Sequence, residues 1–206
     1  GIHKITNEDL MSPCSKGITS EVFESLWSEG IRHLTQLTFL DLNFKNWNCV
    51  MRVRSLKSLS EGIKHLPLLT SLSLSFHNCY LHEEDLKNLC SEGIRHLPLL
   101  TSLLLLSSNS IYLTDKGLKS LCSEGIQHVP LLTSLSLGFD NCFLTDGGFE
   151  SLFSEGIQYL PRLTFLSLDF KSCEGTRPQY LTDECSFIKH FLLRAFYRTS
   201  TAVASH

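Results

Sequence analysis

The sequence predicts an α/β protein made of stacked strand and helix units, and three observations carry that expectation. The block SEGI begins at Ser28, Ser60, Ser91, Ser123 and Ser154. A leucine hexad begins in step with it at Leu37, Leu69, Leu100, Leu132 and Leu163, so both ladders advance by 31 or 32 residues. Within a unit, alternation of Leu72, Leu74 and Phe76 with Ser71, Ser73 and Ser75 marks a strand with one buried face. Helical spacing of Leu118, Leu121, Cys122, Ile126 and Val129 marks an apolar helix stripe. A fixed period of this length means that no unit buries its own apolar face and that neighbours do so for one another.

Residues 1–17 carry no clear repeat, although Ile2 to Ile5 suits a short opening strand. ITSEVFESLWSEGIRHL from Ile18 aligns with LHEEDLKNLCSEGIRHL from Leu81, so residues 18–34 read as the helical half of an incomplete first unit. That half is expected to cover the N-terminal sheet edge, which otherwise exposes unpaired backbone groups. After a lead-in over 1–36, units follow at 37–68, 69–99, 100–131 and 132–162. A terminal unit with a capping helix at 163–198 and a polar tail at 199–206 complete one continuous domain.

Each strand runs into a bend, NCY at Asn78 and NCF at Asn141, with variants NSI at Asn109 and SCE at Ser172. Asn or Cys there can bond to backbone or fill a small buried space. LTD at Leu113, Leu144 and Leu181 marks helix starts, since Thr or Asp can accept from the free amides of a new helix. Pro67, Pro98, Pro130 and Pro161 end the helices and return the chain to the next strand. Gly30, Gly62, Gly93, Gly125 and Gly156 stand where a helix prefers Ala by about 1 kcal/mol, so close approach of adjacent backbones or a late break in the helix is expected. The glutamates before them can pair with Arg32, Lys64 and Arg95, while Gln127 and Gln158 show that this charge is dispensable on a solvated face.

The first full unit departs at NWNCVMRVRSL, where Arg52 and Arg54 replace LTD and Trp47 has no counterpart; this is either a local basic and aromatic feature or an irregular surface loop. In the last unit KSCEGTRPQY lengthens the bend, and Cys185, Ile188, Leu192 and Phe196 keep an apolar stripe.

Charge is mild, 18 Lys and Arg against 21 Asp and Glu, which speaks against nucleic acid and other polyanions. No run of about 18 apolar residues spans a bilayer, and GIHKITNEDL is neither a signal peptide nor a presequence. A soluble cytoplasmic protein is expected. A start at Gly1 fits a processed product, an excised piece or the ordered part of a longer chain. The eight cysteines fall mostly in repeat register. Cys90 and Cys122 share a helix position in neighbouring units, and helices about 8–10 Å apart exceed the Cα separation of about 7 Å that a disulfide bridges. Free, largely buried thiols in a reducing compartment are expected, and without a CxxC pair no structural zinc.

At LTSLSLSFHNCYL from Leu69 and LTDKGLKSL from Leu113 the sequence resembles leucine-rich repeats, whose LxxLxL core all five strands meet. The Cys bend with LTDxGLxxL is similar to both the ribonuclease-inhibitor-like and the cysteine-containing subclasses. The resemblance implies a curved solenoid with parallel strands inside and helices outside, used mainly as a protein-binding scaffold.

No GxxxxGK[ST], GxSxG or GxGxxG motif occurs, so no catalytic residue, cofactor or enzyme activity is expected. His33, His65, His96 and His128 form a row that reads as metal ligands or, since the rungs lie one repeat apart, as imidazoles favoured at helix C-termini. There remains the outward strand face. Its three rows are Phe39, Ser71, Ser102, Ser134, Phe165; then Asp41, Ser73, Leu104, Ser136, Ser167; then Asn43, Ser75, Leu106, Gly138, Asp169. Phe39, Asp41, Asn43, Leu104, Leu106, Phe165 and Asp169 are the candidate partner-binding residues, against the alternative that serine suits any exposed strand and these few carry no site. The expected function is a non-catalytic scaffold that binds another protein, as a subunit or fragment of a larger assembly. The alternative is a regulator of an enzyme, a ubiquitin-ligase substrate adaptor or a GTPase activator, through the same surface.

Overall fold

The computed structural model describes residues 3–6, 20–44, 53–76, 81–108 and 112–170. By its internal contacts the chain divides into Gly1–Glu174 and Gly175–His206, and every described residue belongs to the first. The irregular stretch around Trp47 and Arg52, the bends at Asn78, Asn109 and Ser172, the helix start at Leu181 and the terminal stripe of Cys185, Ile188, Leu192 and Phe196 lie outside the described residues.

Among the described residues six strands form one parallel sheet in chain order: β1 (Lys4–Ile5), β2 (Phe39–Asn43), β3 (Ser71–Phe76), β4 (Ser102–Ser107), β5 (Ser134–Phe139) and β6 (Phe165–Asp169). Every crossover advances one strand in the same direction, so crossovers of one hand put all the helices on one face of the sheet. The leucines meet those helices. Leu40, Leu42, Leu72, Leu74, Leu103, Leu105, Leu135 and Leu137 are buried, and most of their outward neighbours are half-exposed. At the ends of the strands a second buried row holds Phe44, Phe76, Phe139 and Phe170. Phe44 stacks on Phe76 with ring centres 5.2 Å apart, and Phe170 lies 5.8 Å from Phe139. Ser107 takes the place of a phenylalanine in that row; it is buried, and its hydroxyl donates to the Phe76 carbonyl at 3.4 Å.

The strand expected near Ile5 is present as β1, and it changes the expected role of the first helix. β1 itself lies against the β2 edge, Lys4 opposite Phe39 and Ile5 opposite Leu40. The helix α1 (Ser20–Ser25) does not cover the sheet edge; with its continuation it packs on α2 (Val53–Ile63), inside the helical layer.

Apart from α2, each described helix changes winding partway. α1, α3 (Glu83–Asn88), α4 (Asp115–Ser120) and α5 (Asp146–Ser151) widen into a π turn over Leu26–Gly30, Leu89–Gly93, Leu121–Gly125 and Leu152–Gly156. Each then tightens into a 3-10 turn ending at His33, His96, His128 or Tyr159. The SEGI glycine sits at the junction, with backbone angles of −118° and −80° at Gly93, so the late break expected from the glycine ladder is real. The prolines therefore do not end an α-helix. They occupy the second position of a turn such as Leu66 to Leu69, closed by the Leu69 N–H donating to the Leu66 carbonyl at 3.1 Å. The first unit closes the same turn without proline, Leu37 to Leu34 at 2.8 Å.

Both explanations of the glycine ladder hold together. A Cβ at Gly93 would lie 2.8 Å from Ile63 Cδ1, at Gly125 3.0 Å from Cys90 Sγ and at Gly156 2.8 Å from Cys122 Sγ, each atom belonging to the preceding unit. At Gly62 it would collide with the Trp27 carbonyl oxygen. The hexad threonine joins the units at their other end. Thr70, Thr101, Thr133 and Thr164 each donate Oγ1 to the carbonyl of the threonine one unit earlier at 3.0–3.1 Å, and that carbonyl also accepts two backbone N–H groups. Thr38 makes the same bond to His3.

Candidate functional site

Strand pairing places the three outward rows in the register expected of them: Phe39 beside Ser71, Ser102, Ser134 and Phe165; Asp41 beside Ser73, Leu104, Ser136 and Ser167; Asn43 beside Ser75, Leu106, Gly138 and Asp169. The face is not uniformly open. Phe165 is 55% exposed, and Ser167 and Asp169 beside it are exposed too. Phe39, Asp41 and Asn43 are half-exposed, as are Leu104 and Leu106, while Ser75 and Gly138 are buried.

Local contacts explain the gradient. Lys4 Nζ lies over the Phe39 ring at 4.7 Å from its centre, so the first aromatic already has a cation on one side. Asp41 Oδ1 accepts from the Ser73 hydroxyl at 2.6 Å, which holds that carboxylate flat along the sheet. Leu106 leans over Gly138, where a Cβ would stand 2.7 Å from Leu106 Cδ2; the absent side chain gives the leucine room to lie down. Of the seven candidates, Leu104 and Leu106 share β4, Asp41 and Asn43 share β2 with Phe39, and Phe165 and Asp169 stand four strands away on β6.

A second surface lies past the strand ends. Tyr112 and Phe143 are 47% and 46% exposed. Each stands in a single parallel bridge to the helix start of the preceding unit, Tyr112 with His82 and Phe143 with Thr114. The His82 ring stacks on Tyr112 with centres 4.3 Å apart. The signal was one residue upstream of LTD, where Tyr112 and Phe143 precede Leu113 and Leu144. Helix starts are also tied between units. Thr114 and Thr145 cap α4 and α5 by accepting from the Lys116 and Gly147 amides at 3.3 and 3.2 Å. Thr114 in turn donates to Glu83, and Asp115 accepts from the Thr145 N–H at 2.8 Å and hydroxyl at 2.5 Å. The capping role of LTD was legible, whereas the relay through the preceding unit's carboxylate was not.

The bend at Asn141 also follows expectation. Asn141 has a positive φ of 51°, a conformation asparagine tolerates, and Cys142 is buried with Sγ donating to the Phe139 carbonyl at 3.4 Å. Cys90 and Cys122 are free thiols, buried like Cys142. Burial pushes the Cys90 thiol well up and the Cys122 thiol to about 12, so neither supplies a thiolate for chemistry. His33, His65, His96 and His128 are exposed, three of them as the last residue of a 3-10 turn. Among the described residues no three His, Cys, Asp or Glu side chains gather as a metal site requires. No described helix is long and apolar enough to cross a membrane.

No family model matches the chain, and no curated protein matches it. Among solved structures, Leiomodin-1 Actin-Binding Site 2 superposes with a TM-score of 0.53 at 15% identity, over 85% of this chain and 91% of that one. Internalin C2 from Listeria monocytogenes str. 4b F2365 matches at a TM-score of 0.26 and 16% identity, over 68% and 67%, too loosely to bear on the fold. Likeness at these identities is likeness of architecture. With six sequential parallel strands, helices between them and the LxxLxL register at every full strand, the chain has an α/β leucine-rich repeat fold.

Proposed function

We propose that this chain is a non-catalytic scaffold that binds another protein on its outward strand face, through Phe39, Asp41, Asn43, Leu104, Leu106, Phe165 and Asp169. The observation that carries the reading is the departure of β4 from its neighbours: Leu104 and Leu106 put two leucines in rows whose adjacent places on β3 and β5 are serine or glycine. In a protein of copied units, specificity resides where the copies differ. Strands about 4.8 Å apart put Phe39 and Phe165 roughly 19 Å from one another, the width of a helix or loop laid between them. Leiomodin-1 Actin-Binding Site 2 has a like fold, so a stack of this build can carry a protein-binding surface. Buried thiols free of disulfides favour a reducing, cytoplasmic setting. The Cys bend and LTD helix start favour the ribonuclease-inhibitor-like or cysteine-containing subclass.

Affinity capture followed by mass spectrometry identifies the partner, and titration then decides the face. Leu104→Ser with Leu106→Ser restores the serine pattern without touching the buried leucines, and it should weaken binding by more than about 1 kcal/mol, roughly five-fold. Unchanged affinity in that double variant, together with loss of binding on charge reversal at Glu92 and Glu124 in the helical layer, would refute the assignment.

A further inference from the structure

We infer that the N-terminal end of the helical layer is an open half of the interface that joins the units, and that it receives the helix of one further unit of the same kind. The interface repeats within the chain, so its chemistry can be read directly. Gly62, Gly93, Gly125 and Gly156 are all buried, each against an atom of the preceding unit. Gly30 holds the same place in the first SEGI and is exposed; among the described residues, a Cβ there meets only Leu26 Cδ1 of its own helix, at 3.3 Å. The leucine that stands two residues before SEGI in four of the five units tells the same story independently. Leu89, Leu121 and Leu152 are fully buried, whereas Leu26 is 43% exposed. A shallow concavity lined by Glu21, Ser25, Leu26, Glu29 and Gly30 lies over this spot.

The contacts at Gly156 specify what fits. Cys122 supplies a small side chain against the glycine, Lys119 Nζ pairs with the Glu155 carboxylate at 3.3 Å, and Gln127 Nε2 donates to the Glu155 carbonyl. The equivalent Glu29 has a side chain 61% exposed, held among the described residues only by Arg32 of its own turn at 3.2 Å. An occupant therefore carries a basic residue three positions before a small one, the pattern of Lys119 with Cys122 and of Lys87 with Cys90. That is the helix of a leucine-rich unit like those already in the stack, stacking ahead of β1. A large residue at the small position would be excluded by the closeness the glycine permits.

The test joins a copy of residues 70–98 directly before Gly1, which keeps register because His3 stands where Thr101 does. Urea unfolding is followed for the original and the extended chains, each with Gly30 and with Gly30→Leu. The expected result is an upward shift of the midpoint on extension that Gly30→Leu removes, with no loss from Gly30→Leu in the original chain. Two outcomes overturn the inference. If Gly30→Leu lowers both midpoints equally, Gly30 is already covered within the chain. If extension leaves the midpoint unmoved, or Gly30→Leu makes no difference to the extended chain, this face does not receive a unit. Lys→Glu at the copied Lys87 separates the ion pair from simple packing and should reduce the shift, more so at low salt.

Discussion

Substitution of glycine by alanine should have opposite signs at the unit interface and on the exposed helix start, and the structure sets the order. At Gly62 the new methyl meets the Trp27 carbonyl oxygen and sits 3.0 Å from Ile31 Cγ2. Backbone cannot swing aside, so the two units must separate, and overpacking of this kind costs about 1–3 kcal/mol, here toward the upper end. Alanine also recovers up to about 1 kcal/mol of helix propensity within α2, leaving a net loss of about 1–2 kcal/mol. At Gly93 the nearest atom is the end of the Ile63 side chain at 2.8 Å, which can rotate, so Gly93→Ala should be close to neutral and only Gly93→Leu costly. Gly147 is exposed, with Thr145 Oγ1 at 3.5 Å and Asp115 Oδ2 at 3.7 Å, ordinary contact distances; Gly147→Ala should stabilise by about 0.5–1 kcal/mol. Urea denaturation of the three variants, with equal m-values, reads the differences directly. If Gly62→Ala is as stable as Gly147→Ala, the units are not in backbone contact and the account of the ladder fails.

Three further outcomes are expected. Cys90 and Cys122 should resist alkylation at pH 8 in the folded protein and react only on unfolding, because burial raises both thiols; labelling of folded protein at the rate of a free thiol would contradict that placement. Thr133→Val removes one of three donors to the Thr101 carbonyl while keeping its shape, for a loss of about 0.5–1 kcal/mol measured by the same denaturation; a neutral result would show that the two amides suffice. Asp85 is 3% exposed, with Oδ2 accepting from the His82 N–H at 3.1 Å and Oδ1 without a hydrogen-bond partner, and burial is the main cause that raises its pKa. The folded state then holds its proton to higher pH than the unfolded chain, so its contribution to stability is fully present below the unfolded value and is lost as pH rises through the folded one. The wild-type protein should therefore lose stability relative to Asp85→Asn as pH rises through that window; a constant difference between the two would show that Asp85 is not desolvated.

Periodicity made the architecture legible because a stacked repeat writes its core in one line. Leu72 and Leu74 are buried for the same reason as Leu103 and Leu105, so one strand predicts the next. The details that escaped arise between units. The role of Thr70 depends on a carbonyl 32 residues earlier, and the Thr145 cap depends on Asp115, 30 residues earlier. Neither hydroxyl differs in sequence from one facing solvent. The π turns were invisible for another reason: α2 passes through SEGI as a regular helix although it carries the same four letters. The winding is therefore not set by those four letters alone. Trp27, followed by SEGI like Cys90 and Cys122, presents its backbone to Gly62, whereas the cysteines present a small side chain to Gly125 and Gly156.

The candidate face was legible only as a contrast between copies, and the structure changes how that contrast should be weighed. Asp41 differs from its neighbours in sequence, yet it is occupied by Ser73, and Phe39 is occupied by Lys4; a partner must displace those contacts before using either residue. Leu104 and Leu106 have no polar contact to lose, and Phe165 is more than half exposed. If a partner binds this face as proposed, its binding energy should concentrate toward β4 and β6 rather than spread evenly from β2 to β6. Tyr112 and Phe143 are copies of one position, the residue before LTD, so a contrast between units carries no sign of them. Copying shows that a position suits the stack, but it does not show that the stack buries it. A repeated aromatic left about half exposed at the strand ends adjoins the proposed face without forming the core, so a partner seated on β4 and β6 that reached past the strand ends would meet Tyr112 and Phe143 next.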